Sequence, residues 1–214
     1  MFVAKTHDAS HKTASSVHSA PVTSQALEWV WHYLQDVRNP HVLDCGAVSS
    51  ASVSILMRRG AKVYVADLIV SLQRGDPAYW RRVGKKLTFC LDEFLAQLPR
   101  IPTASLNLIC CWHLLDLIPA EELPKLVDCF FSLLGTGGIL FCFLREPNLL
   151  AGMEGRWWFE SLTTLGAEGE GKGVFPFAAL SNREVEKLTS GCSVKTFLTR
   201  SHRREVVVLK KGDL

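Results

Sequence analysis

The stretch His41-Val42-Leu43-Asp44-Cys45-Gly46-Ala47-Val48-Ser49-Ser50 decides the fold. A short apolar run ends on an acid, a glycine follows two residues later, and helical periodicity begins just beyond Ser50. Short apolar runs bounded by turn residues read as strands buried on both faces. The spacing predicts a helix from Ser52 to Arg59, closed by Gly60 at C′. Ala61-Lys62-Val63-Tyr64-Val65-Ala66 then forms a second strand that ends at Asp67. A strand, a helix and a strand in so short a span make a βαβ unit, whose two strands run parallel.

The pattern continues toward the C-terminus. A third strand is expected from Lys86 to Cys90, then a short helix from Asp92 to Leu98. Leu106-Asn107-Leu108-Ile109-Cys110-Cys111 is a near-continuous apolar run, a fourth strand covered on both faces. A helix from Pro119 to Leu134 presents Leu123, Leu126, Val127, Phe130, Phe131 and Leu134 to the core. Gly135-Thr136-Gly137-Gly138 turns into a fifth strand, Ile139 to Leu144. Further on, Trp157-Trp158-Phe159 is expected to open a helix, and the glycine-rich run 166–173 to form a flexible loop. Ser181 and Glu184 have capping-box spacing. Ser193 to Thr199 and Glu205 to Leu209 are strands whose short link permits only a hairpin. The fold class is therefore α/β: a doubly wound, mostly parallel seven-stranded sheet with a C-terminal antiparallel hairpin.

Toward the N-terminus, Leu27, Val30, Trp31 and Leu34 line one face of a helix capped by Ser24 and ended by Asn39-Pro40. Residues 1–23 lack apolar periodicity and are expected to be a disordered tail, with His7, His11 and His18 solvated. Residues 24–214 then form one domain, a size that buries a full core.

Composition narrows the function classes. Twenty-four basic and 21 acidic residues leave a net charge of +3, too little to indicate a nucleic-acid or membrane partner. The basic clusters at Arg58-Arg59, Arg81-Arg82 with Lys85-Lys86, and Arg200 with Arg203-Arg204 lack interleaved aromatic stacking residues and read as solvated faces. The apolar runs are too short to span a bilayer. The seven cysteines are odd in number and none has C-x-x-C spacing, so neither a disulfide framework nor a metal site is expected. Buried free thiols suit a reducing compartment, and a cytoplasmic location is expected.

In an open parallel sheet, ligands bind beyond the carboxyl ends of the strands at the switch point. Candidate site residues are therefore those just after each strand. The Gly46 turn lets backbone approach a ligand, and Asp44 either supports that ligand or caps the turn. The Asp67 carboxylate either accepts from ribose hydroxyls or caps the strand end. Asp92 either faces a ligand or caps the helix that follows. His113, past the fourth strand, stands where a general base for an acceptor would, or is structural. Trp157 and Trp158 either line an acceptor pocket or pack as core.

These segments resemble class I S-adenosylmethionine-dependent methyltransferases over about residues 40 to 210. Val42 to Gly46 is similar to the opening of the family's glycine-rich motif, and Gly60 to Asp67 to its second motif. Leu91-Asp92-Glu93-Phe94 resembles the adenine-side segment, and Leu106 to Leu115 the fourth strand and its loop. Leu133 to Leu140 resembles the turn before strand five, and Arg204 to Leu209 the last strand. The resemblance implies S-adenosylmethionine as cofactor, held by Asp44, Gly46, Asp67, Asp92 and Cys111, with His113 as catalytic candidate. The modest size of the chain points to a small molecule or a single protein site as methyl acceptor. The loop after the fourth strand lacks the family's Pro-Pro-aromatic tetrapeptide, which argues against DNA adenine methylation.

Two departures stand out. The second and third glycine positions of the first motif hold Val48 and Ser50. A β-branched residue is poorly suited to positive φ, so the loop is expected to follow another path and reshape the methionine end of the site. The alternative function is a catalytically inactive methyltransferase-like module for binding or regulation. A nicotinamide-dependent oxidoreductase ranks last, because only Gly46 and Ala51 fit the G-x-G-x-x-G frame.

Overall fold

The computed structural model describes residues 18–73, 76–146, 152–174, 177–199 and 203–212. Its elements, in chain order, begin with β1 (His18–Thr23), α1 (Gln25–Tyr33), β2 (His41–Asp44), α2 (Ser50–Arg58), β3 (Lys62–Val65) and α3 (Leu68–Gln73). They continue with β4 (Trp80–Val83), β5 (Lys86–Phe89), α4 (Leu91–Leu95), β6 (Leu106–Trp112), α5 (Leu123–Leu133) and β7 (Leu134–Arg145). The last are β8 (Gly152–Phe159), β9 (Thr164–Val174), α6 (Asn182–Leu188), β10 (Ser193–Leu198) and β11 (Arg203–Leu209).

The main sheet has six strands in the order β10-β11-β7-β6-β2-β3. The β2–β3, β2–β6 and β6–β7 pairs are parallel, and β11 runs antiparallel to both β7 and β10. The parallel strands are the apolar ones: every residue of β6 except Asn107 is buried, because helices and loops cover both faces. Asn107 uses its side-chain oxygen to accept from the backbone N–H of His41 at 2.9 Å, tying β6 to the start of β2.

Local signals place the helices. Ser24 accepts from the Leu27 N–H at 3.0 Å, and its own hydroxyl donates to Glu205 at 2.9 Å. α1 then buries Ala26, Leu27, Val30 and Trp31, and each large apolar side chain so buried contributes about 1.5–3 kcal/mol. Ser49 caps α2 through the Ser52 N–H, and Ser181 and Glu184 form the full capping box of α6. The core face of α5 is Leu123, Leu126, Val127 and Phe130, as its periodicity requires.

Several elements differ from expectation. The strand expected at Lys86 to Cys90 is absent from the main sheet among the described residues, which leaves that sheet with six strands. Lys86–Phe89 instead pairs antiparallel with Trp80–Val83 around the two-residue turn Gly84-Lys85. Gly84 has φ +62°, a conformation that two-residue hairpin turns require. Local closure, with Leu87 and Val83 left exposed, wins over a distant parallel partner. Cys90 is accordingly only half-buried, while Cys45, Cys110, Cys111 and Cys142 are core.

The second difference is Trp157-Trp158-Phe159, which lies in β8 rather than in a helix, and the third is the glycine-rich run, which lies in β9. The two strands pair antiparallel, with Trp158 opposite Gly166 and Phe159 opposite Leu165. A Cβ on Gly166 would lie 2.5 Å from the Trp158 ring, so this glycine makes room for an indole rather than for chain flexibility. The period-two pattern, with Trp157 and Phe159 buried around half-buried Trp158, is that of a strand. β9 also pairs antiparallel with β1, so residues 18–23 of the expected tail form a strand. Residues 1–17, with His7 and His11, and Arg200 in the β10–β11 link lie outside the described residues.

Among the described residues, no helix is long and apolar enough to cross a membrane.

Candidate functional site

β2 is flanked by β3 on one side and β6 on the other. The loops leaving β2 and β6 therefore diverge, and the crevice between their carboxyl ends is the switch point of the sheet. Gly46, Ala47, Ile69, Gln73, Trp112, His113, Arg156 and Trp157 line it. The small sheet brings the last pair: the backbone N–H of Phe159 donates to Ser52 Oγ at 3.0 Å, docking β8 on α2. The Arg156 guanidinium then reaches the Val48 carbonyl at 3.0 Å.

Trp112 dominates this crevice. On β6, Cys110 pairs with Phe141 and Trp112 with Cys142, so β6 carries one extra residue, a bulge at Cys111. Trp112 leaves the bulge at φ +50°, a left-handed conformation rare for a bulky aromatic residue. Such a residue stores about 1–3 kcal/mol, which its surroundings must hold in place. The indole Nε1–H donates to Asp44 Oδ1 at 2.7 Å. The ring is packed by Phe141, Phe143 and Phe159, with centroids 6.1, 5.5 and 5.3 Å away.

Asp44 is buried at the end of β2. The same Oδ1 accepts from the Gly46 N–H at 2.9 Å. Burial pushes its carboxyl above the usual range, opposed by the hydrogen bonds from Trp112 and Gly46 and reinforced by the charge of Asp67. Gly46 is fixed by contact: a Cβ there would lie 2.6 Å from Trp112 Nε1 and 2.8 Å from its Cδ1. Asp44, Gly46 and Trp112 thus form one interlocked unit.

The other candidates stand apart from that unit. Asp67 is exposed just after β3, and its Oδ1 accepts from the Val70 N–H at 3.3 Å. It lines an open recess of about 390 Å³ with Val70, Ser71, Asp76 and Pro77. Asp92 is the second residue of α4, not its cap, and pairs with Lys125 at 2.8 Å on the exposed surface. It is not among the residues lining the crevice or the recess. Cys111 is fully buried, and burial, with the neighbouring Cys142 thiol, raises its thiol well above the ordinary range. His113 is buried on the crevice wall, with its Nε2 3.2 Å from the Gln73 side-chain nitrogen. Val48 and Ser50 avoid positive φ: Val48 turns outward and Ser49 caps the helix. Local strain sits instead at Trp112.

Sequence reasoning missed Trp112, Gln73 and Arg156. An aromatic residue at the end of a central parallel strand was the available signal for Trp112. Gln73 and Arg156 carry none, since only tertiary packing brings α3 and β8 here. Among the described residues, no group of three His, Cys, Asp or Glu side chains is arranged to hold a metal ion.

No family model matches the chain, and no curated protein matches it. Solved structures do. A SAM-dependent methyltransferase from Methanosarcina mazei is 15% identical, covering 86% of this chain and 98% of that one, with a TM-score of 0.49. The 1,6-didemethyltoxoflavin-N1-methyltransferase of Burkholderia thailandensis, solved with S-adenosylhomocysteine, is 15% identical over 87% of this chain and 77% of its own, at 0.47. A Mesorhizobium loti S-adenosylmethionine-dependent methyltransferase is 14% identical over 87% and 99%, also at 0.47.

Proposed function

We propose that the chain is an S-adenosylmethionine-dependent methyltransferase acting on a small molecule or a single protein site. One observation carries this reading: Asp44 and Asp67 follow one another at the carboxyl ends of the neighbouring parallel strands β2 and β3, with Asp44 beside the switch point of the sheet. A nucleoside lying across these strand ends would meet Asp67 first. Its carboxylate is exposed and opens on the recess of about 390 Å³, so both ribose hydroxyls can donate to it.

The amino-acid end fits less well. The crevice beyond Asp44 leaves about 10 Å³ of free space, roughly enough for one water molecule. Trp112 fills the space against Gly46. The residues therefore fit the nucleoside end of the cofactor and, with Trp112 in place, not its methionine end. When bound, the cofactor would supply an electrophilic methyl group on a sulfonium. His113 on the crevice wall, oriented by Gln73, is the side chain suited to take a proton from an acceptor.

Calorimetric titration with S-adenosylmethionine and S-adenosylhomocysteine tests the reading. Heat of binding supports it, and folded protein that gives none at millimolar concentration refutes it. The second reading, a methyltransferase-like module that binds or regulates without transferring methyl groups, rests on the Trp112–Asp44 contact and predicts that silent titration.

A further inference from the structure

The crevice already contains a planar, hydrogen-bonded occupant, and it belongs to the chain itself. Trp112 meets Asp44 through its Nε1–H, lies against the bare Cα of Gly46, and is boxed by Phe141, Phe143 and Phe159. Its backbone is held at φ +50° by the bulge at Cys111. The ring is held in by its hydrogen bond to the buried Asp44 oxygen, which also accepts from the Gly46 N–H, and by the three phenylalanine rings.

We propose that the Trp112 side chain is an intramolecular competitor for this crevice, occupying the place of the amino-acid end of the cofactor until that end displaces it from Asp44. The proposal rests on the methyltransferase reading. The exchange conserves hydrogen bonds: an ammonium group takes over from the indole N–H as donor to Asp44, and a charged donor is the stronger of the two. That charged bond favours the exchange, while loss of the aromatic contacts opposes it. Apparent affinity then falls by the fraction of molecules whose crevice is open. Recognition becomes two-part, with the Asp67 recess available at all times and the Asp44 crevice available only when Trp112 leaves.

The test compares binding of S-adenosylhomocysteine and of adenosine, which lacks the amino-acid end, to wild type, Trp112→Phe and Trp112→Ala. S-Adenosylhomocysteine is expected to bind at least tenfold more tightly to Trp112→Ala and several-fold more tightly to Trp112→Phe, with adenosine affinity equal in all three. Equal, measurable S-adenosylhomocysteine affinities overturn the competition and leave the methyltransferase reading standing. Absence of S-adenosylhomocysteine binding to every folded form overturns both. Trp112→Phe keeps most of the ring packing, so the comparison stands on that variant even where Trp112→Ala does not fold.

Discussion

Trp112 Nε1 donates to Asp44 Oδ1 at 2.7 Å across the carboxyl ends of two neighbouring parallel strands, 68 positions apart in the chain. That bond joins the loop after β2 to the loop after β6, so the switch point of the sheet is closed by the protein's own side chains. Gly46 completes the closure, because the indole rests where any larger residue would place its Cβ. Stability and access to the crevice are therefore linked through the same three residues.

The first prediction concerns pH. Burial holds the Asp44 carboxyl above its ordinary value of 3.8, so the folded chain binds this proton more tightly than the unfolded chain. The stabilisation is complete below the unfolded value and is lost as pH rises through the folded one. Asp44→Asn keeps an oxygen for Trp112 and Gly46 while removing the buried charge. It should be at least as stable as wild type at neutral pH, with the difference closing as pH falls toward 3.8. Urea midpoints measured across that window check the sign. A wild type that gains on Asp44→Asn with rising pH would contradict it.

The second prediction concerns Gly46. Gly46→Ala puts a methyl group 2.6 Å from Trp112 Nε1, so the indole or the loop must shift. A loss of about 1–3 kcal/mol is expected, typical of overpacking in a filled interior. Combined with Trp112→Ala, the same substitution should cost far less, because the clashing ring is gone. A double-mutant cycle by chemical denaturation measures this coupling. Strict additivity would show that the contact does not constrain residue 46.

The main parallel strands were legible because each is a continuous apolar run between turn residues, and the capping serines at 24 and 181 marked their helices. What the sequence concealed has two physical origins. Alternation at Trp157-Trp158-Phe159 is too short to separate strand from helix, and the run after Gly166 reads as flexible until Trp158 is placed over that glycine. The strand at Lys86–Phe89 was recognised, but its partner was not, since a two-residue turn competes with distant pairing in a way that composition does not record. At the site, Asp44 and Gly46 were identified from their motif. Their actual partner, Trp112, depends on a one-residue bulge that no spacing announces.

A third prediction concerns the joint between α1 and the last strand. Glu205 Oε2 accepts from Ser24 Oγ at 2.9 Å and from the Ala26 N–H at 3.1 Å, and all of these groups are buried. Ser24→Ala removes the helix cap and one donor to that carboxylate together. The loss should reach about 1–2 kcal/mol, the upper part of the range for N-cap substitutions. Thermal unfolding reads it directly, and a change within the error of the wild-type midpoint would deny the joint its importance.

The fourth prediction separates two acids that the family resemblance placed together. Asp67 opens on the recess beside β3, whereas Asp92 lies on the surface in an ion pair with Lys125. Asp67→Ala should weaken S-adenosylhomocysteine binding by several-fold or more, because two ribose hydroxyls lose their acceptor. Asp92→Ala should leave affinity unchanged, and neither exposed substitution should move the unfolding midpoint much. Calorimetric titration of both variants decides between them. Equal affinity of Asp67→Ala and wild type would remove the ribose contact. Weakened binding in Asp92→Ala would instead mean that α4 takes part in holding the ligand, and the surface pair with Lys125 would then have to open on binding.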